Sequence, residues 1–141
     1  MSTYDMGTAI HEAAHAVTGV RMGFHVYEVY IYPDRSGQTS FGKVNYRDAG
    51  KVRYFAQSIL AGPVAELLYM GMPVTRADLA DLEGASSDIA KVGALAQQFD
   101  LTGVLDETVA MVKAEFAAIT RVAEKLKSDG SIEGSELGGM I

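Results

Sequence analysis

His11, Glu12 and His15 stand together in the stretch HEAAH, which uses two of the chain's three histidines within five positions. On an α-helix, residues four apart project from one face about a turn apart, so His11 and His15 can each turn one imidazole nitrogen toward a single ion. Glu12 lies about 100° round the same helix, too far to join them as a ligand but near enough to reach a water held by the metal. That division of labour suits hydrolysis. Zinc brings the pKa of its water toward about 7, and a neighbouring carboxylate accepts the proton and passes it to the leaving amine. Short patterns of common helix residues also recur by chance, so the motif alone is equally compatible with polar residues on an ordinary alanine-rich helix.

Catalytic zinc generally takes three protein ligands and keeps one position open. The chain has no cysteine, which leaves imidazole and carboxylate as donors for the third place. Three residues qualify. His25 opens a predicted strand, where it is expected to face solvent or pack at the strand start. Glu66, in AGPVAELLYMG, lies on a predicted second helix and could turn inward, although helical glutamates are mostly solvated. Asp88, in GASSDIAKV, falls in the first turn of a predicted third helix, where unpaired N–H groups and the positive end of the dipole favour a carboxylate. A plain helix-start acid would look the same.

The elements that must position these residues follow from periodicity and turn signals. Ser2 or Thr3 can cap a first helix over about residues 4 to 22, with Gly23 as its stop and the small Ala13 and Ala14 permitting close approach of another element. HVYEVYIYP at 25–33 and SFGKVNY at 40–46 read as the strands of a hairpin with DRSGQT as a long loop. A second helix is predicted from about Ala49 to Tyr69 with Tyr54, Ile59, Leu60, Val64, Leu67 and Leu68 inward, and Gly62-Pro63 should kink or restart it. Residues 71–84 read as a surface connection with at most a turn of helix. Ser86 or Ser87 can cap a third helix reaching about Phe99. A fourth runs from about Thr102 to Lys127 on Val104, Val109, Val112, Phe116, Ile119, Val122 and Leu126, and turn residues with a short last helix close the chain. Most of Tyr27, Tyr30, Tyr32, Phe41 and Tyr46 are expected to serve core or cross-strand packing.

At 141 residues, 48% of them hydrophobic and 21% charged, the chain is expected to be one domain, residues 1–141, able to bury a core without a metal to hold it together. A metal would then serve chemistry. The 18 acids against 12 bases, with no extended basic patch, argue against a nucleic-acid partner. No membrane span or export signal is visible, so the expected address is cytoplasmic.

In order and content, HEAAH, ILAGPVAELLYMG and GASSDIAKVGALAQQF resemble the zinc peptidase domain of FtsH, the membrane-bound ATP-dependent protease. ETVAMVKAEFAAITRVAEKLKSDGSIEGSEL is similar to that domain's closing helices, which extends the likeness from about Thr8 to Leu137. The resemblance implies a mainly α fold, a helical zinc-peptidase domain with a small β-hairpin or sheet beside the active-site helix, and the element reading agrees. It implies His11, His15 and Asp88 as zinc ligands and Glu12 as the catalytic residue, with Glu66 supporting a ligand from behind or standing as the reserve ligand. Two positions depart from the family: Ala14 stands where glycine is usual, and Pro63 where a basic residue is common. No GxxxxGK[ST] phosphate loop occurs in the chain, so ATP-driven unfolding is not expected of it and any ATPase would be a separate partner. The expected function is zinc-dependent hydrolysis of peptide bonds in unfolded segments or short peptides, taken up by strand addition at the hairpin edge. The alternative is an adaptor that keeps the peptidase fold, turns over little, and binds unfolded segments or a partner ATPase.

Overall fold

The structure, a computed structural model, describes residues 4–141. Helix α1 (Met6–Arg21) is capped by Asp5, whose carboxylate accepts from the Thr8 N–H at 2.9 Å. The caps expected at Ser2 or Thr3 lie outside the described residues. The helix ends as expected before Gly23, whose φ of +88° a side-chain-bearing residue adopts only with strain.

Every residue of α1 from Ala9 to Gly19 is buried, so the helix is enclosed rather than laid on a surface. Helices α2 (Ala49–Tyr69) and α5 (Val104–Asp129) pack against it, and the sheet covers what remains. Small side chains make that possible. Ala9, Ala13, Ala14 and Ala16 are fully enclosed, and a Cβ on Gly19 would lie 2.5 Å from the Phe41 ring. The methyl of Ala14 is therefore accommodated in the core. Ile10 and Val17 of α1 join Val64, Leu67, Val112, Ile119, Val122 and Leu126, each contributing about 1.5–3 kcal/mol by leaving water.

The sheet is antiparallel in the order β2-β1-β3, built from β1 (Val26–Ile31), β2 (Gly37–Phe41) and β3 (Ser131–Glu133). The first strand lies where expected; the second does not. Strand β2 begins at Gly37, opposite Ile31, so Gly37-Gln38-Thr39 are strand and not loop, while residues 42–46 are outside it. A tight turn draws the strand forward: the Tyr32 N–H donates to the Ser36 carbonyl at 2.8 Å, Asp34 accepts from the Ser36 N–H at 2.9 Å, and Arg35 takes a φ of +72°. Strand β3 follows α5 through Gly130 and pairs Ile132 with Val29, a contact between residues far apart in sequence that leaves little local signature.

Helix α2 spans the predicted range and runs through Pro63 without restarting, although Tyr54, expected inside, is 46% exposed. The connection after it holds α3 (Arg76–Asp81). Helix α4 (Ser86–Ala96) starts at Ser86 with Ala85 as its cap and no capping side chain, so neither serine caps it, and it stops short of Phe99. Its Ile89, Val92 and Leu95 pack on Ala56, Leu60 and Val104. Helix α6 (Gly134–Leu137) closes the chain with Leu137 buried. Of the five aromatics, most of them expected to pack, Tyr27, Tyr32 and Tyr46 are mostly exposed, whereas Phe41 stacks edge-on against Phe55. No helix among the described residues is long and apolar enough to cross a membrane.

Candidate metal centre

The enclosed helix α1 carries two histidines and a glutamate into the interior, and buried polar groups are costly unless partnered. All three are partnered. His11 and His15 sit one above the other, their rings 4.8 Å apart and 76° to one another. The His15 Nδ1–H donates to the Ser58 carbonyl at 2.8 Å, and the His11 Nδ1–H donates to Glu66 Oε1 at 2.8 Å. Both partners come from α2, so that helix sets the tautomer and orientation of both rings and turns each Nε2 to the same side.

Asp88 meets those nitrogens from α4. Its Oδ2 lies 2.9 Å from His11 Nε2 and 3.2 Å from His15 Nε2. The three residues offer ligand atoms that all lie within 4.8 Å of one another. Donors around a tetrahedral ion with bonds of about 2.0 Å stand about 3.3 Å apart, close to the 2.9 and 3.2 Å between Asp88 Oδ2 and the two Nε2 atoms, so the residues are compatible with an ion of that size. The carboxylate and backbone carbonyl behind the rings are the supports such a ligand set needs.

Space for this convergence depends on Gly62. A Cβ there would lie 2.5 Å from His15 Nε2, 2.6 Å from His15 Cε1 and 2.9 Å from His11 Cδ2. The glycine read from sequence as a helix interruption is the point at which α2 crosses the histidine pair. Pro63, the next residue of α2, is buried.

Without a metal the cluster is an ion-pair network. Burial works against a charge on His11, but its hydrogen bonds to Asp88 and Glu66 and the fields of Glu12 and Asp88 prevail, lifting its pKa from 6.5 to about 10. Burial likewise opposes charge on Asp88, and its contacts with both histidines hold its carboxyl well below the usual carboxylate range. A divalent ion would replace the imidazolium proton by a larger charge in the same place.

Glu12 stands beside the two histidines, its Oε1 accepting from the Thr39 hydroxyl at 2.9 Å. A cavity of about 380 Å³ opens in front of His11, Glu12 and His15, bounded by β2, by Phe55 and Ile59 of α2, and by Asp88 and Lys91 of α4. A second, of about 600 Å³, reaches His11 and Glu12 past Asp5, Asp34 and Glu83 with Arg35 as its basic residue, a lining that draws cations inward.

The structure brings together the sequence-derived residues His11, Glu12, His15, Glu66 and Asp88. His25 is left outside, exposed at the strand start with its ring against Tyr27. Ser58, Gly62 and Thr39 were not foreseen as parts of the site; the AGP step, with a glycine inside an otherwise good helix, was the one local signal. No protein-family model matches this chain, and no curated protein sequence matches it.

Proposed function

We propose that this chain is a zinc-dependent metallopeptidase domain that cuts unfolded segments or short peptides. The observation that carries this reading is the convergence of His11 Nε2, His15 Nε2 and Asp88 Oδ2, with Glu12 alongside and both Nδ1 atoms held from behind. His11, His15 and Asp88 would hold the zinc, which when bound supplies a polarised carbonyl and a more acidic water. The chain's residues do the rest. Glu66 and the Ser58 carbonyl keep the rings in register, and Glu12 takes a proton at Oε2 from the water whose oxygen bonds to the carbonyl carbon, then returns it to the amine nitrogen as the C–N bond breaks. The open edge of β2 binds substrate main chain as an added strand without reading sequence. Phe41, Phe55 and Ile59 offer an apolar wall for a side chain beside the cleaved bond. The resemblance to the FtsH peptidase domain supports the same assignment, and a cytoplasmic address with a separate ATPase as partner belongs to the proposal.

One observation favours the adaptor reading: among the described residues no buried side-chain nitrogen or oxygen lacks a hydrogen-bond partner, so the His11, Asp88 and Glu66 network can stand without turnover. Digestion of an unfolded protein separates the two. The peptidase reading expects cleavage without ATP that a chelator stops and zinc restores, abolished by Glu12→Gln with zinc retained. An adaptor shows no cleavage above the Glu12→Gln background under any of these conditions.

A further inference from the structure

Proceeding from the peptidase reading, we propose that Thr39 is a positioning residue that couples substrate docking on β2 to the orientation of Glu12. Its single hydroxyl proton is directed to Glu12 Oε1 at 2.9 Å, with the Glu12 backbone carbonyl, 3.1 Å from the same oxygen, as a second acceptor sharing it. Two positions earlier on the same face of β2, a Cβ on Gly37 would come within 2.9 Å of Glu12 Cγ and 2.9 Å of the Tyr30 carbonyl. Glycine at 37 makes room for the glutamate stem, and threonine at 39 ties down its head. With Oε1 committed to Thr39, proton transfer falls to Oε2.

The main-chain groups of the same residue point in the plane of the sheet, away from β1. The Tyr32 N–H bonds toward the β2 side at Ser36, whereas the Ile31 N–H bonds toward the β3 side at Gly130. By the alternation of an antiparallel ladder, Gln38 and Ser40 spend their backbone groups on β1, and Gly37, Thr39 and Phe41 present theirs at the open edge. That edge borders the cavity in front of Glu12 and the histidines. A peptide strand added there bonds to the Thr39 N–H and carbonyl while the Thr39 side chain holds the proton acceptor. The substrate residue opposite Thr39 is thereby registered against the base, and the chemistry is placed where docking is tightest.

Thr39→Val deletes the hydroxyl and keeps the shape and strand preference, while Thr39→Ser keeps the hydroxyl. With an unfolded substrate and zinc-loaded protein, Thr39→Val is expected to lower kcat about tenfold with KM within about twofold, and Thr39→Ser to stay within about threefold of the parent kcat. Zinc content and unfolding midpoint should be unchanged in both, and a crystal structure should show the Glu12 carboxylate displaced in Thr39→Val and in place in Thr39→Ser. If Thr39→Val fails to fold, Thr39→Ala carries the same expectation. Parent-like kcat in the hydroxyl-less variant, a serine variant as slow as the valine one, or a rise in KM with kcat intact would each overturn the role. Parent protein lacking any chelator-sensitive cleavage that Glu12→Gln abolishes would instead remove the peptidase reading, and this role with it.

Discussion

Replacing Gly62 by alanine adds one methyl group where α2 crosses the histidine pair, and the consequences can be worked out atom by atom. The new Cβ would lie 2.5 Å from His15 Nε2 and 2.9 Å from His11 Cδ2, about 1 Å inside ordinary contact, and neither partner is the loose end of a flexible chain. Both rings are pinned through Nδ1, by Ser58 and Glu66 of the same α2, so the rings and the helix must separate together. Overpacking of this kind costs about 1–3 kcal/mol, offset by about 0.5–1 kcal/mol from alanine's better helix propensity. The fold should survive with a net loss of at most about 2.5 kcal/mol. The metal site should not survive intact, since disturbing the supports of metal ligands lowers affinity about 10- to 100-fold. Urea unfolding in chelator and competitive zinc titration measure the two effects separately. Parent-like zinc affinity in Gly62→Ala, with its unfolding unchanged, would refute the claim that this glycine exists for the close approach to the histidines.

Other outcomes follow from the same geometry. Glu66→Ala leaves His11 Nδ1 without its acceptor and should lower zinc affinity about 10- to 100-fold, with Glu66→Gln, which keeps an oxygen there, less affected; calorimetry of zinc binding reads both. In metal-free protein the His11 pKa is raised from 6.5 to about 10, so the stability it contributes is complete below about pH 6.5 and lost as pH rises toward 10. Asp88 is shifted downward and describes the same pairing from the other side, its contribution being present above the ordinary carboxylate pKa and lost in acid. Urea midpoints in chelator should therefore fall between pH 6.5 and 10, and a flat or rising profile would contradict the assignment. Zinc affinity should rise through that interval because a proton must leave His11 for the ion to bind. Proline placed successively along a peptide substrate should block cleavage where its missing N–H would face an outward carbonyl of β2, and an indifferent scan would exclude strand addition.

The histidine pair was legible because a helix converts a spacing of four into a shared face, and Gly23 marked where that helix must stop. Local spacing could not show that Asp88 meets His11 and His15. The meeting depends on α4 docking onto α2 through Ile89, Val92 and Leu95, a contact between distant segments, and at the level of sequence the family resemblance favoured Asp88. Glu66 was ambiguous for the same reason: whether a helical glutamate turns inward depends on what crosses above it. The misplaced β2 has another origin. SFGKVNY carries stronger strand preference than GQTSF, but the Asp34 and Ser36 turn closes early and sets the register from Gly37. The slip hid Thr39, which looked like part of a loop. Strand β3 escaped notice because Ile132 alone has a buried side chain there, and a strand of such length exists only through its partner.

Anomalous diffraction above the zinc edge, on crystals of the purified protein exposed to zinc, locates the ion and its donor atoms. One strong peak is expected, bonded to His11 Nε2, His15 Nε2 and an Asp88 carboxylate oxygen, absent in Asp88→Ala and present in Glu12→Gln. A peak held by other residues, or no ordered ion beside the paired imidazoles, would contradict that ligand assignment.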